Sequence, residues 1–577
     1  MLLTQILSAM TVMICMFVDS VMIGRFLGSK AVTAYGLTNP VLLIFAAFGA
    51  MLTAGIQVMC GKTMGRGDRE GTDVCYSAAL VLAMSVALIG LLITLVFITP
   101  ICTALGAGKP VPENEVFFLT KDYLTGFIIG APAFLMAQTL VPFLQMSGKG
   151  IRLATAVIVM TVSDIIFDLL NVFVFKGGTF GMGIASSMSY YMAFIIGGIY
   201  FISKNCMFRL KLRSVRFRMF GELLGYGIPT MINQTSTVLL IFLTNRVLLG
   251  VGGNPAVASY SVINTIANIC YCFGAGIGSV TLMLSTMFYS DKDKDALLDI
   301  VKTMVKNSLL LNLIVTILTC VLAKQLVGLF LTDDPGAAQM AVLGTGLFSL
   351  SLMFCSINTS FKNFYQGTGR AHLTNVISFS QSFLSKFLFA FILSRFMGTT
   401  GVWYSWVLGE ILTLLLLTGI VWKKNKKITF APSEFSLLSD TVMAEDDEKL
   451  EVTVHSMEEV IYASQSAASF CLAKGRDRRT STLISLCIEE MASNIVRHGF
   501  TKGNAKDRSI NIRLLFKDGE GIIRLRDNCI NFDPVSYMDL HKADDPTSHI
   551  GIRMIMKIVK DASYVSSLGL NNLTLVI

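Results

Sequence analysis

The sequence predicts an all-α polytopic membrane protein with a soluble α+β domain attached at its C-terminal end. Three observations predict it. The 577 residues are 53% hydrophobic and only 15% charged, with a mean hydropathy of +0.65, whereas a soluble globular chain carries about 25% charged residues. A long stretch occurs twice: Ala31 to Glu70 returns as Ala256 to Asp295 at a constant offset of 225 (256 − 31, 295 − 70). Past Lys427 the composition changes, charge becomes dense, and four of the five histidines lie there.

The repeat is carried by polar landmarks as well as apolar ones. Ala31, Val32 and Tyr35 return as Ala256, Val257 and Tyr260, Gly49-Ala50 as Gly274-Ala275, and Asp68 as Asp293. A second echo joins Gln145-Met146-Ser147-Gly148-Lys149 to Gln366-Gly367-Thr368-Gly369-Arg370 at an offset of 221 (366 − 145). A long internal repeat in a hydrophobic chain marks secondary transporters, with the substrate path between the halves.

About twelve apolar spans follow one another, each of roughly 20 residues or more and so long enough to cross a bilayer as helix. Six centre near Met13, Phe45, Leu88, Phe134, Val162 and Ala193, and six near Val238, Cys272, Val315, Leu352, Leu384 and Leu414. The basic segment Cys206 to Met219 divides them. The expected domains are an N-terminal lobe over 1–204, a basic loop over 205–218, a C-terminal lobe over 219–424, a linker over 425–445 and a soluble domain over 446–577. No basic region precedes the first apolar run, which reads as a span and not a cleaved signal. Loops after even-numbered spans carry Lys62, Arg66 and Arg69, then Lys149 and Arg152, then the Arg209 to Arg218 cluster, Lys294 and Arg370. By that bias both termini are cytoplasmic, in a plasma or inner membrane. The net charge of +9 sits mostly at span ends and gives no reason to expect nucleic acid. Twelve scattered cysteines show no metal-ligand spacing and read as small core residues.

Charge inside a span costs about 2.5–3.5 kcal/mol on insertion scales and marks function by default. Asp19 lies in the first span; Asp164 and Asp168 lie in the fifth, four apart and so on one helix face. Carboxylates clustered in low dielectric can hold a proton or Na⁺ through oxygen ligands. Lys386 and Glu410 are the charges seen within spans of the second half, and a buried pair accounts for both. Pro229, followed by Asn233 and Gln234, suggests a bent seventh span with polar groups facing a cavity.

At these residues the chain resembles the multidrug and toxic compound extrusion (MATE) family. The matching motifs are VDSVMIGRFLG with AVTAYGL, the Gly65 to Asp68 hairpin, QMSGKG, QGTGR and DIIFDLLNVFVF. They cover nearly all of residues 1 to 424. The resemblance implies two six-helix lobes facing a central cavity, and Na⁺- or H⁺-driven export of small amphiphilic or cationic molecules. It also implies that Asp19 and Asp168 match the family's acidic positions. Asp164 departs from it, falling where the family often has Asn, and the seventh span lacks the acidic residue some members use.

In the tail, Lys449 to Val454 alternates like a strand, Met457 to Lys474 and Arg479 to His498 have helical spacing, and Ser509 to Phe516 and Gly521 to Asp527 alternate again. Ile550 to Lys560 reads as helix and Leu573 to Ile577 as a last strand. Glu490 and Asn494 share a helix face, and Asp527 ends a strand (527 − 494 = 33). Gly551 opens a helix whose N-terminus can face phosphate. In this order they resemble the GHKL class of ATP-binding domains, most of all anti-sigma-factor serine kinases. The resemblance implies Glu490 as general base, Asn494 as Mg²⁺ ligand, Asp527 and Thr574 near adenine, and Gly551 in a phosphate lid. Cys529 and Asn531 replace two family glycines, so a turn needing positive φ there would be strained.

Two functions follow. One is a cation-coupled exporter whose ATP-binding tail regulates transport or phosphorylates a cytoplasmic protein partner. The other is a membrane-tethered signalling protein whose transporter part senses a ligand and whose tail acts as a serine kinase or anti-sigma-like module. A lipid-linked sugar flippase shares the span count but not the Asp19 and Asp168 motifs.

Overall fold

The computed structural model describes residues 6, 10, 15, 18–19, 22–66, 68–203, 206–290, 293–330, 335–426, 431–438, 449–500, 508–517, 520–529, 532–535, 550–567 and 570–577. Among them, nine helices are long and apolar enough to cross a membrane, or up to eleven if each of two bent pairs is one span. Eleven of the twelve expected spans thus have counterparts there, two of them broken. The span centred near Met13 lies mostly outside the described residues. Those near Phe134 and Leu352 are bent, as Glu115–Ile128 with Ala131–Met146 and Pro335–Leu350 with Leu352–Gly367, each by 46°. Pro132 brings no N–H to the first break. At the second, the Ser351 hydroxyl donates to the Phe348 carbonyl at 2.6 Å, offering the backbone an alternative partner.

The repeat is visible in the geometry. Asp68 caps helix Arg69–Val96 by accepting from the Gly71 amide at 2.7 Å. Its counterpart Asp293 caps Lys294–Val321 by accepting from Ala296 at 3.0 Å. Each side chain satisfies an amide that a helix start leaves without a partner. QMSGKG and QGTGR form matching turns, with Gly148 at φ +68° and Gly369 at φ +76°, a region that side chains enter only under strain.

The two halves meet along helix Ser29–Gly65, which packs on Phe217–Gly253 and Pro255–Ser290. Near its C-terminal end Gly65 lies so close to the Met287 carbonyl that any side chain would collide. Gln57 Nε2 donates to Ser279 Oγ at 3.0 Å, and the Lys62 ammonium stands 3.9 Å above the Tyr226 ring.

The tail is a five-stranded antiparallel sheet with helices on one face. The strands are β1 (Lys449–Val454), β2 (Ile510–Lys517), β3 (Glu520–Asp527), β4 (Asp561–Ser567) and β5 (Leu570–Val576), in the order β1-β2-β3-β5-β4. Helix Met457–Ala473 begins at Ser456, whose hydroxyl accepts from Glu459 N while the Glu459 carboxylate reaches back to the His455 amide. This is a near-reciprocal cap. Helix Arg478–Asn494 turns Ile484, Cys487, Ile488 and Met491 inward, a helical period, onto Ile512, Leu514, Ile523 and Leu525 of the sheet. Strand β4 was not anticipated from the sequence.

Candidate functional site

Three groups of side chains stand out. In the first half, Asp19, Asp164 and Asp168 are all buried and their carboxyl groups converge. Ser186 Oγ donates to Asp19 Oδ2 at 3.2 Å. Asp19 Oδ1, Asp164 Oδ2 and both Asp168 oxygens have no hydrogen-bond partner. An unpaired ionised carboxylate in a protein interior costs several kcal/mol, so the cluster calls for positive charge shared among its oxygens. Among the described residues no three His, Cys, Asp or Glu side chains form a metal-holding group. A bound Na⁺ would therefore draw on hydroxyl or carbonyl oxygens too.

In the second half, the expected pair is present: Lys386 Nζ lies 2.8 Å from Glu410 Oε1, with both side chains buried. Asn358 and Gln381 also donate to Glu410 Oε2, at 2.8 and 3.2 Å. The Gln381 amide oxygen accepts in turn from Lys362 Nζ at 3.3 Å, and Asn233 Oδ1 accepts from the same ammonium at 2.7 Å. Lys362 was missed in the sequence, where it sits two residues from the motif-bearing Phe364-Tyr365-Gln366. The available signal was the repeat. At the second offset Lys362 stands where the first half has Val141 (362 − 221), and both line one cavity.

That cavity has a volume of about 320 Å³ and lies between the halves. Thr53, Gln57 and Gln138 face it from one side; Asn233, Lys362 and Gln366 face it from the other. Pro229 and Asn233 line it, on the helix Phe217–Gly253, whereas Gln234, expected to face it beside Asn233, does not. Asp19, Asp164 and Asp168 do not line it.

In the tail, a pocket of about 360 Å³ opens between helix Arg478–Asn494 and the sheet, with Met491, Asn494, Asp527, Asn571 and Leu573 in its wall. Strict alternation along β3 carries Asp527 to the core side of the sheet. Its Oδ1 accepts from Asn571 Nδ2 and from the Cys529 amide, both at 2.8 Å. Burial raises the Asp527 carboxyl above the usual carboxylate range, opposed by these two donors. Cys529 does not adopt positive φ, so the feared strain is absent there; its thiol is pushed up to about 11 by burial and by Asp527. Asn531 lies outside the described residues. Thr574 sits on β5 between Arg524 and Ser563, off the pocket wall, which Asn571 and Leu573 of the same strand line. Glu490 Oε2 lies against Gly551, so the helix start expected to face phosphate already faces a carboxylate. Much of the expected lid, 536–549, is outside the described residues.

The tail touches both hairpins of the repeat. Arg69 Nη1 pairs with Asp533 Oδ2 at 3.2 Å, Arg526 Nη1 with Asp293 Oδ2 at 3.0 Å, and Lys449 Nζ with Asp295 Oδ2 at 3.2 Å. The Arg526 guanidinium also stands 4.8 Å over the Phe288 ring.

A duplicated array of membrane-crossing helices around a central polar cavity defines a multi-pass membrane protein. The chain belongs to the MatE family, whose family model matches residues 5–170 and 229–392. It is 24% identical over 420 residues to the multidrug export protein MepA of Staphylococcus aureus (strain bovine RF122 / ET3-1), covering 71% of this chain and 90% of that one. It is 24% identical over 416 residues to MepA of Staphylococcus haemolyticus (strain JCSC1435), covering 70% and 88%. Among solved structures it is similar to a multidrug resistance MATE transporter in an outward-facing conformation, with TM-score 0.68 and 18% identity over 74% of this chain and 94% of that one. It is also similar to a mutant of the Vibrio cholerae MATE transporter VcmN, with TM-score 0.67 and 18% identity over 73% and 95%.

Proposed function

We propose that the protein is a cation-coupled exporter of small amphiphilic molecules. It would be built as two six-helix lobes, 1–204 and 219–424, joined by the basic loop 205–218, with both termini cytoplasmic. The observation that carries the reading is the cluster of Asp19, Asp164 and Asp168, buried with unpartnered oxygens. Such a group is stable when it holds H⁺ or Na⁺ and costly when it does not, which is what a coupling site requires. Cargo would bind in the central cavity, and the names of the MepA relatives support drug-like cargo. Full-length protein in vesicles tests this, with efflux driven by an H⁺ or an Na⁺ gradient in turn. Asp19→Asn and Asp168→Asn should each abolish gradient-driven efflux while the protein remains in the membrane. Wild-type efflux in both variants defeats the assignment.

The tail, 446–577 beyond the linker 425–445, is read as a regulatory module that binds ATP with Mg²⁺. Asp527 would accept from the adenine amine and Asn494 would ligate the metal. A kinase step with Glu490 as base, acting on a protein partner, is the further form of this reading; phosphate at the Gly551 helix start would require the Glu490 carboxylate to move off it. Its ion pairs with the hairpins of both halves favour regulation of transport over a free-standing signalling role.

A further inference from the structure

The central cavity has a sign. Lys362 is the single charged residue in its lining among the described residues. An ammonium has three donors; Asn233 Oδ1 takes one at 2.7 Å and Gln381 Oε1 a second at 3.3 Å. Both acceptors are neutral amides, and no carboxylate forms an ion pair with Lys362 among the described residues. Glu410, the acid of the same network, is already held by Lys386, Asn358 and Gln381. Nor does the first span hide a balancing acid. Residues 1 to 27 contain one carboxylate, Asp19, and it is buried against Ser186, off the cavity wall. The third donor of Lys362 is therefore left for whatever enters the cavity.

We propose that the cargo is an amphiphile bearing an anionic group, a carboxylate or its like, which binds the Lys362 ammonium while its apolar body rests against Ala50, Ala54, Val141 and Leu282. A lone buried ammonium flanked by amides costs desolvation in the empty state, and an anionic cargo relieves that cost on binding. An organic cation meets the same ammonium as a like charge. Gln57, Gln138 and Gln366 extend the site with amide groups suited to a carbonyl or hydroxyl of the cargo. The proposal rests on the export reading above and reverses the charge expected of its substrates.

Fluorescein and rhodamine 123 share a ring skeleton and differ in charge, one anionic and one cationic. Binding of each to the full-length protein in detergent is read by fluorescence anisotropy. Wild type should bind fluorescein more tightly by about ten- to a hundredfold, the range of one charge-assisted hydrogen bond in a desolvated site. Lys362→Met should bring the two dyes to within about threefold, and Lys362→Arg, which keeps the charge, should keep the preference. Equal binding of the dyes by wild type, a preference for rhodamine 123, binding of neither, or an unchanged preference in Lys362→Met overturns the proposal. Should Lys362→Met fail to fold, the wild-type comparison still decides. Vesicle efflux separates this from the transport reading. Fluorescein binding without efflux under either gradient defeats export and leaves the charge assignment, whereas efflux of rhodamine 123 without fluorescein binding does the reverse.

Discussion

Removing the acid of the Lys386–Glu410 pair should destabilise the protein more than removing the base. Breaking a buried pair by deleting one partner costs about 3–5 kcal/mol, because the other charge is left uncompensated. The structure sets where each variant falls in that range. Lys386→Met leaves Glu410 with donors from Asn358 at 2.8 Å and Gln381 at 3.2 Å, and hydrogen bonds to a charged group are worth roughly 1.5–3 kcal/mol each. Glu410→Gln leaves Lys386 with a neutral amide oxygen and the Tyr271 ring at 5.5 Å, the ring worth about 1 kcal/mol, and with a second cation, Lys362, tied through Gln381 to the same position 410. Glu410→Gln should therefore lie near the top of the range and Lys386→Met near the bottom, about 1–2 kcal/mol apart. The double variant should recover most of the loss, since it buries no unpaired charge. Trp403, Trp406 and Trp422, all on the helix Thr399–Asn425 that carries Glu410, report its unfolding by fluorescence during heating in detergent. Additive single-variant losses, or a larger loss in Lys386→Met, would refute the reasoning. Full transport in a stable double variant would make the pair structural.

Two further predictions concern the tail. Arg526→Glu should undock it from the second hairpin, raising hydrogen exchange at 293–297 by about tenfold or more, as loss of a largely buried pair implies; adding Asp293→Arg should restore protection in part, less the cost of the lost helix cap. Unchanged exchange in Arg526→Glu would count against docking. Asn494→Ala in the full chain should weaken Mg²⁺-dependent binding of labelled ATP by about tenfold while Thr574→Ala leaves it alone, and equal effects of the two would argue against the assigned pocket.

The duplication was legible because polar capping residues repeat with the apolar pattern: Asp68 and Asp293 do the same work at the same register. The Lys386–Glu410 contact was legible because two opposite charges in adjacent spans have few other ways to be buried. The 46° bends were not, since a hydropathy count reads a broken span and a straight one alike. Lys362 escaped because its helix, Leu352–Gly367, is rich in Ser, Asn and Thr, so a lysine there looks like part of a loop-facing end. Strand β4, Asp561–Ser567, reads DASYVSS; at a sheet edge little alternation is needed, and a short polar strand leaves little trace. The tail pocket was found through Asn494 and Asp527, but which residues of β5 face it depended on register, and one position's slip exchanges Thr574 for its neighbours.

The tail's contacts break the equivalence of the two hairpins. The repeat offers two seats of similar shape, on which a bridging domain has two ways round to sit. One ring chooses. Acidic Asp533 meets basic Arg69 on one hairpin, while basic Arg526 and Lys449 meet acidic Asp293 and Asp295 on the other. By the 225-residue offset a half turn would bring Asp533 to Lys294, Arg526 to Asp68 and Lys449 to Glu70, so the charges pair in either sense. Arg526 would then lose the Phe288 ring, whose counterpart on the first hairpin is Thr63. A repeated platform thus takes its polarity of seating from an aromatic residue on one hairpin and not from the charges that both share.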